Sequence, residues 1–276
     1  MNCNPTVVGK SIIKGSCYTR KVIGRLKKAF NNKNKSNKIK STDDRTIYNE
    51  LSSKIKNCDD ESCWLNDIVG EEERKILRSK SFSPNKPDDW IRNPVEWLSN
   101  FDIINVIKQY EEKYQDFKFI GPSPIDFNSM PYGNNQCVCD DLCKFELKSY
   151  NELGYNSIGV VFNLDKHNQS GSHWVSLFIS IKHNFIYYFD SAANNIPKEI
   201  NDFVDLVIKQ SQDKLKFLTN VPHQHQYENT ECGMYSLFFI ITMLDESMTM
   251  KKKINLFSKK RLSDKYIQLF RKKYFN

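Results

Sequence analysis

Gly171-Ser172-His173-Trp174-Val175-Ser176-Leu177-Phe178-Ile179-Ser180-Ile181-Lys182-His183-Asn184-Phe185-Ile186-Tyr187-Tyr188-Phe189-Asp190-Ser191 contains two apolar runs separated by a polar tripeptide. Both runs are rich in β-branched and aromatic residues, and Lys182-His183-Asn184 has the make-up of a hairpin turn, so the segment reads as two antiparallel strands. In such a pair the start of the first strand and the end of the second share one end of the sheet. His173 and Asp190 therefore come to the same place, and a carboxylate that orients an imidazole is supplied by topology.

Working outward, residues 158–164 and 215–218 are further short apolar runs that predict strands. Residues 198–210, 232–244 and 263–274 have helical length and periodicity, and Trp97, Leu98, Phe101, Ile104, Val106, Ile107 and Tyr110 predict a helix at about 100–115, capped by Ser99 or Asn100. There is no internal repeat. The class is α+β, with a mixed central β-sheet flanked by helices.

The chain has 276 residues, of which 39% are apolar and 27% charged, which excludes disorder along its whole length. No apolar stretch is long enough to span a bilayer, and the first residues lack the apolar core of a signal peptide, so an intracellular soluble protein is expected. Eight cysteines, unevenly spaced, do not suggest a disulfide scaffold; free thiols in a reducing compartment are the expectation. The net charge of +8 favours acidic surfaces without selecting a partner.

Nine basic residues and no acid lie between Arg20 and Lys40, which predicts a mobile segment: either a solvated loop or an electrostatic handle for nucleic acid or an acidic partner. Ile47, Leu51 and Ile55, then Trp64, Leu65, Ile68 and Val69, predict a small helical subdomain. The turn-rich run 81–89 holds two prolines and is the best linker candidate. The expected division is a basic, helical N-terminal arm at 1–88 and a second domain at 89–276.

In that second domain, Gln226-Tyr227-Glu228-Asn229-Thr230-Glu231-Cys232-Gly233 passes from polar sequence into an apolar helix beginning at Cys232. A thiol at a helix N-terminus lies in the positive end of the macrodipole, and a neighbouring imidazolium adds to the preference for thiolate. Gly233 leaves room for a substrate carbonyl and frees backbone N–H groups for a developing oxyanion, to which Gln226 could add a side-chain donor. The division of labour is Cys232 as nucleophile, His173 as general base and then acid, Asp190 as orienting group and Gln226 as charge stabiliser. The chemistry is acyl transfer, most simply peptide hydrolysis.

On these residues the chain resembles the adenovirus-type and ubiquitin-like-specific (SUMO) cysteine proteases: His-Trp opening a strand, Asp at the end of the next, and Gln-x5-Cys-Gly opening a buried helix. The order His, Asp, Gln, Cys separates it from papain-like enzymes. Asn163 before the histidine, Ser191-Ala192 after the acid, and Thr230-Glu231 before the cysteine are most similar to the polyprotein-processing proteases of large DNA viruses. The resemblance covers about residues 95–276, with a weaker likeness of 58–63 to an N-terminal arm. It implies the adenain/SUMO-protease fold, no metal or organic cofactor, and cleavage after Gly-Gly or Ala-Gly in viral structural precursors during virion maturation, in the virion and host cytoplasm. It also implies that Trp174, with Trp97, walls a narrow tunnel that admits residues without side chains.

Other readings stand beside these. Trp174 also fits a core residue, and Asn163 a strand-end cap. Cys137, Cys139 and Cys143 suggest zinc but lack a fourth ligand nearby, and His223 and His225 read as a solvated loop before a metal site. Lys251–Lys253 and Lys259–Arg261 read as solvent faces of helices. Removal of ubiquitin- or SUMO-like modifiers, or a catalytically silent packaging or binding module, are the alternative functions.

Overall fold

The computed structural model describes every residue except Met1, Asn57, Asp59, Tyr132 and Asn134. The chain forms two compact units, one of residues 1–86 with 272–276 and one of residues 87–271. In the likeness noted at 58–63, Asp59 lies outside the described residues.

The first unit is built on four helices, α1 (Arg20–Lys33), α2 (Asp44–Lys54), α3 (Glu61–Ile68) and α4 (Glu71–Ser81). The basic segment expected to be mobile is corrected here. Val22, Ile23, Leu26 and Phe30 recur at helical spacing among the lysines and bury one side of α1, with Ile39 buried beyond it. These residues join Ile47, Leu51, Trp64, Leu65 and Phe82 in one apolar core. Asn276 closes this unit: its backbone N–H donates to the Pro84 carbonyl (2.8 Å), and its own carbonyl accepts from the Lys86 N–H (2.8 Å). Residues 272–276 thus group here, whereas the sequence reading carried the second domain through to 276.

The expectation of free thiols is also corrected. Cys3–Cys17, Cys58–Cys63 and Cys137–Cys143 are disulfides, and among the described residues Cys139 and Cys232 are free. Two of these bonds span only five and six positions, and each ties a cysteine ahead of a helix to one within it, Cys63 in α3 and Cys143 in the short helix Asp140–Cys143. A zinc reading of 137–143 has lost two of its three thiols.

The second unit is a five-stranded sheet in the order β1 (Phe117–Pro124), β2 (Ser157–Asn163), β3 (Trp174–Ser180), β4 (Phe185–Phe189), β5 (Lys216–Thr219). The three central strands are antiparallel, and the outer pairs β1/β2 and β4/β5 are parallel. β1 escapes a sequence reading because Gly121-Pro122 lies inside it, a pair that ordinarily marks a turn; the ladder shifts register between Ile120 and Ser123 to absorb it.

β3 is buried along its whole length, since both faces of the sheet are covered. Val175, Leu177 and Ile179 face a cluster that includes Leu142 of the short helix α6 (Asp140–Cys143), Leu147 of α7 (Leu147–Glu152), and Phe203, Val204 and Val207 of α8 (Lys198–Gln210). On the opposite face lie α5 (Asn100–Lys113) and α9 (Cys232–Leu244). Phe239 of α9 stacks on Phe189 at 4.8 Å and meets Tyr187 edge-on at 5.2 Å, so the helix that begins at Cys232 is anchored to β4 by aromatic packing. This α+β arrangement is the predicted class. The helix expected over 263–274 is instead two short helices, Asp264–Gln268 and Arg271–Tyr274, preceded by Met250–Lys259.

Candidate active site

The hairpin carries out the predicted juxtaposition. The register Ser176↔Phe189 sets the residue after β4 beside the start of β3, and His173 Nε2 donates to Asp190 Oδ1 at 2.7 Å. Asp190 is fully buried. Its Oδ1 also accepts from the Ala192 N–H (2.9 Å) and its Oδ2 from the Asn194 N–H (3.1 Å). Asn220 clamps the same residue from behind, accepting from the Asp190 N–H (3.0 Å) and donating to its carbonyl (2.7 Å). The carboxylate is thus fixed before the imidazole uses it.

Cys232 is buried at the first position of α9, and the His173 ring interacts with its thiol as well as being hydrogen-bonded to Asp190. Burial alone pulls the imidazole towards its neutral form, but the hydrogen bonds and charges of Asp190 and Cys232 outweigh that, and His173 is pushed up from 6.5 to about 10. The ring is therefore held as imidazolium through neutral pH, beside the sulfur. The native state binds this proton more tightly than the unfolded chain, so the associated stability is complete below about 6.5 and is lost as pH rises through about 10. Thermal unfolding of wild type and His173→Ala across pH 6 to 10.5 checks this: the advantage of wild type shrinks as the pH rises, and a constant gap would contradict it.

Glu231, the N-cap of α9, makes no side-chain cap bond, so its carboxylate does not occupy the N–H groups at the head of the helix. Gln226 is buried in the preceding loop. Its Oε1 accepts from the Ser191 hydroxyl (2.6 Å), which leaves the amide NH₂ as its donor end. The Ser191 carbonyl in turn accepts from the backbone N–H groups of both His225 (2.9 Å) and Gln226 (2.8 Å). The loop holding Gln226 is thereby pinned to the residue that follows Asp190.

The remaining predicted residues lie around this centre. Asn163 pairs with Trp174 across β2 and β3, and its Oδ1 accepts from the Asp165 and Ser172 N–H groups (3.0 and 3.2 Å), so it does cap the strand end. Trp174 is buried and donates its Nε1–H to the Leu98 carbonyl (3.0 Å). Asn163, Trp174 and the half-exposed Trp97 line one cavity of about 740 Å³, together with Leu98, Asp165 and His167. At Gly233 a Cβ would stand 3.1 Å from Leu98 and 3.2 Å from Trp174, so the missing side chain admits these two neighbours. His225 uses both ring nitrogens on backbone, donating to Phe257 O (2.8 Å) and accepting from Leu262 N–H (3.1 Å), while burial pushes it down to about 4. Such a ring has no lone pair for a metal, and no metal-holding cluster occurs among the described residues.

Sequence reasoning missed Ser191 and Asn220 as supports and Leu98 as a wall. In sequence Ser191 is only a point of likeness, and the other two are ordinary residues whose contacts exist only in three dimensions.

Residues 158–276 match the family described as the Ulp1 protease family, C-terminal catalytic domain. A cysteine protease of African swine fever virus is 30% identical over 219 residues, which span 73% of this chain and 80% of that protein. A putative thiol protease of Acanthamoeba polyphaga mimivirus is 32% identical over 196 residues, 68% of this chain but only 59% of that longer protein. The crystal structure of the African swine fever virus protease superposes with a TM-score of 0.69 at 23% identity, covering 100% of this chain and 96% of the other, a likeness of fold. With the His-Asp-Cys geometry at the end of the sheet, these matches make the chain a member of the Ulp1 family of cysteine proteases.

Proposed function

We propose that this chain is an endopeptidase that cuts polypeptides after a glycine, in Gly-Gly or Ala-Gly contexts, with Cys232 as nucleophile, His173 as general acid and base, Asp190 as its orienting group and Gln226 as an oxyanion donor. The observation that carries the reading is one imidazole hydrogen-bonded to a buried carboxylate and set beside a buried thiol at the head of a helix. The Cys232 sulfur adds to the scissile carbonyl carbon, and the oxyanion is met by the Gln226 amide and the N–H groups heading α9. The C–N bond then breaks as His173 passes its proton to the leaving amine. A water molecule, deprotonated by the neutral ring, hydrolyses the thioester and restores the pair.

The close approach of Leu98 and Trp174 at Gly233, beside a cavity walled by Trp97 and Trp174, supports selection for residues without side chains. Viral structural precursors are the substrates this family resemblance favours, with activity in the virion and host cytoplasm. The exposed basic residues of α1 offer a contact for nucleic acid or an acidic partner. No helix among the described residues is long and apolar enough to cross a membrane.

Peptides varied around Gly-Gly and Ala-Gly test the reading. Cutting is expected after glycine and lost when that glycine becomes valine; equal cutting after bulky residues overturns the selectivity. Faster cleavage of a ubiquitin-like conjugate than of any such peptide would favour modifier removal instead.

A further inference from the structure

Arg271 is almost fully buried, and its guanidinium serves two separate stretches of backbone. Nε donates to Glu231 Oε2 and Oε1 (3.0 and 3.2 Å), Nη1 to the Glu96 carbonyl (2.8 Å), and Nη2 to the carbonyls of Val95 (3.2 Å) and Thr230 (3.5 Å). The cation also lies over the Trp90 ring, 4.4 Å from its centre. Thr230 and Glu231 lead directly into Cys232. Val95 and Glu96 lead directly into Trp97 and Leu98, and Leu98 is the residue that accepts from Trp174 and closes against Gly233.

We propose that Arg271 is a positioning residue for peptide cleavage: it sets the spacing between the thiol-bearing turn at 230–232 and the substrate wall at 95–98. The two stretches are more than 130 positions apart in sequence, and within this arrangement one planar group spans them. A guanidinium presents five N–H donors in a fixed fork, which a lysine ammonium cannot reproduce. The same contact offsets the negative charge of Glu231 one residue from the nucleophilic sulfur. Glu231 is fully buried, so that charge has no solvent to screen it.

The proposal rests on Cys232 as nucleophile, which the loss of activity in Cys232→Ala checks separately. In the full chain, Arg271→Lys keeps the charge but loses the fork, and its kcat/KM is expected to fall about tenfold or more, as for one or more lost buried hydrogen bonds. Iodoacetamide labelling of Cys232, which needs no wall, stays near the wild-type rate. The double variant Glu231→Met with Arg271→Met exchanges a buried ion pair for apolar side chains, a replacement that often preserves stability. Its thermal midpoint is expected to hold while kcat/KM falls and KM rises, because the carbonyls of Val95 and Glu96 have lost their anchor. Wild-type kcat/KM in either variant overturns the proposal, and should the double variant fail to fold, Arg271→Lys decides alone.

Discussion

His173→Ala and Cys232→Ala each lower peptide turnover by about 10⁴-fold or more, as removal of a member of a nucleophile–base pair does elsewhere. The two losses are expected to be of similar size and not to add, because neither side chain does its work without the other. Removing the thiol is a small change in volume, and α9 is held by Phe239 against Tyr187 and Phe189, well away from residue 232. Cys232→Ala should therefore keep the wild-type circular dichroism spectrum while turnover disappears. The imidazole variant separates reactivity from binding. At pH 6 an isolated thiol is almost entirely protonated, so iodoacetamide should label wild-type Cys232 rapidly and the His173→Ala protein slowly. Residual turnover in Cys232→Ala, or equal labelling of the two proteins, would remove the pair from the chemistry.

The part of this site that was legible in sequence follows from short-range physics. Two apolar runs rich in β-branched and aromatic residues around Lys182-His183-Asn184 dictate a hairpin, and a hairpin of that length brings residue 173 to residue 190. The break from polar sequence to the apolar run after Glu231 likewise places the thiol at the start of a helix. What was illegible depends on partners far apart in the chain. Asn220 clamps Asp190 from 30 positions away, and the Leu98 carbonyl meets Trp174 across 76. Neither leaves a periodicity. The basic segment was misjudged for a different reason: nine charges dominate its composition, while four residues at helical spacing within α1 decide its structure by burial. β1 was lost to a Gly-Pro pair that local rules assign to a turn and that the ladder with β2 overrides.

Gln226→Ala is expected to cost about 10²- to 10³-fold in turnover with little change in KM, the loss that follows removal of one oxyanion donor. Such a donor acts only if it is aimed before charge develops, and here the aim comes from the carbonyl end of the amide. Ser191 Oγ donates to Oε1, and the Ser191 carbonyl holds the backbone of residues 225 and 226, so the side chain cannot rotate without breaking a buried hydrogen bond. The neighbouring His225, neutral and bonded through both nitrogens to the backbone of Phe257 and Leu262, ties the loop down from the other side. Ser191→Ala should then produce a smaller loss than Gln226→Ala, about tenfold for one buried hydrogen bond, and add little when combined with it, because both act through the same amide. Steady-state kinetics of the two single variants and the double variant measure this coupling. A fully additive pair would mean that Ser191 supports the fold without aiming the amide, and a Gln226→Ala enzyme with normal kcat would assign the oxyanion to the N–H groups heading α9 alone.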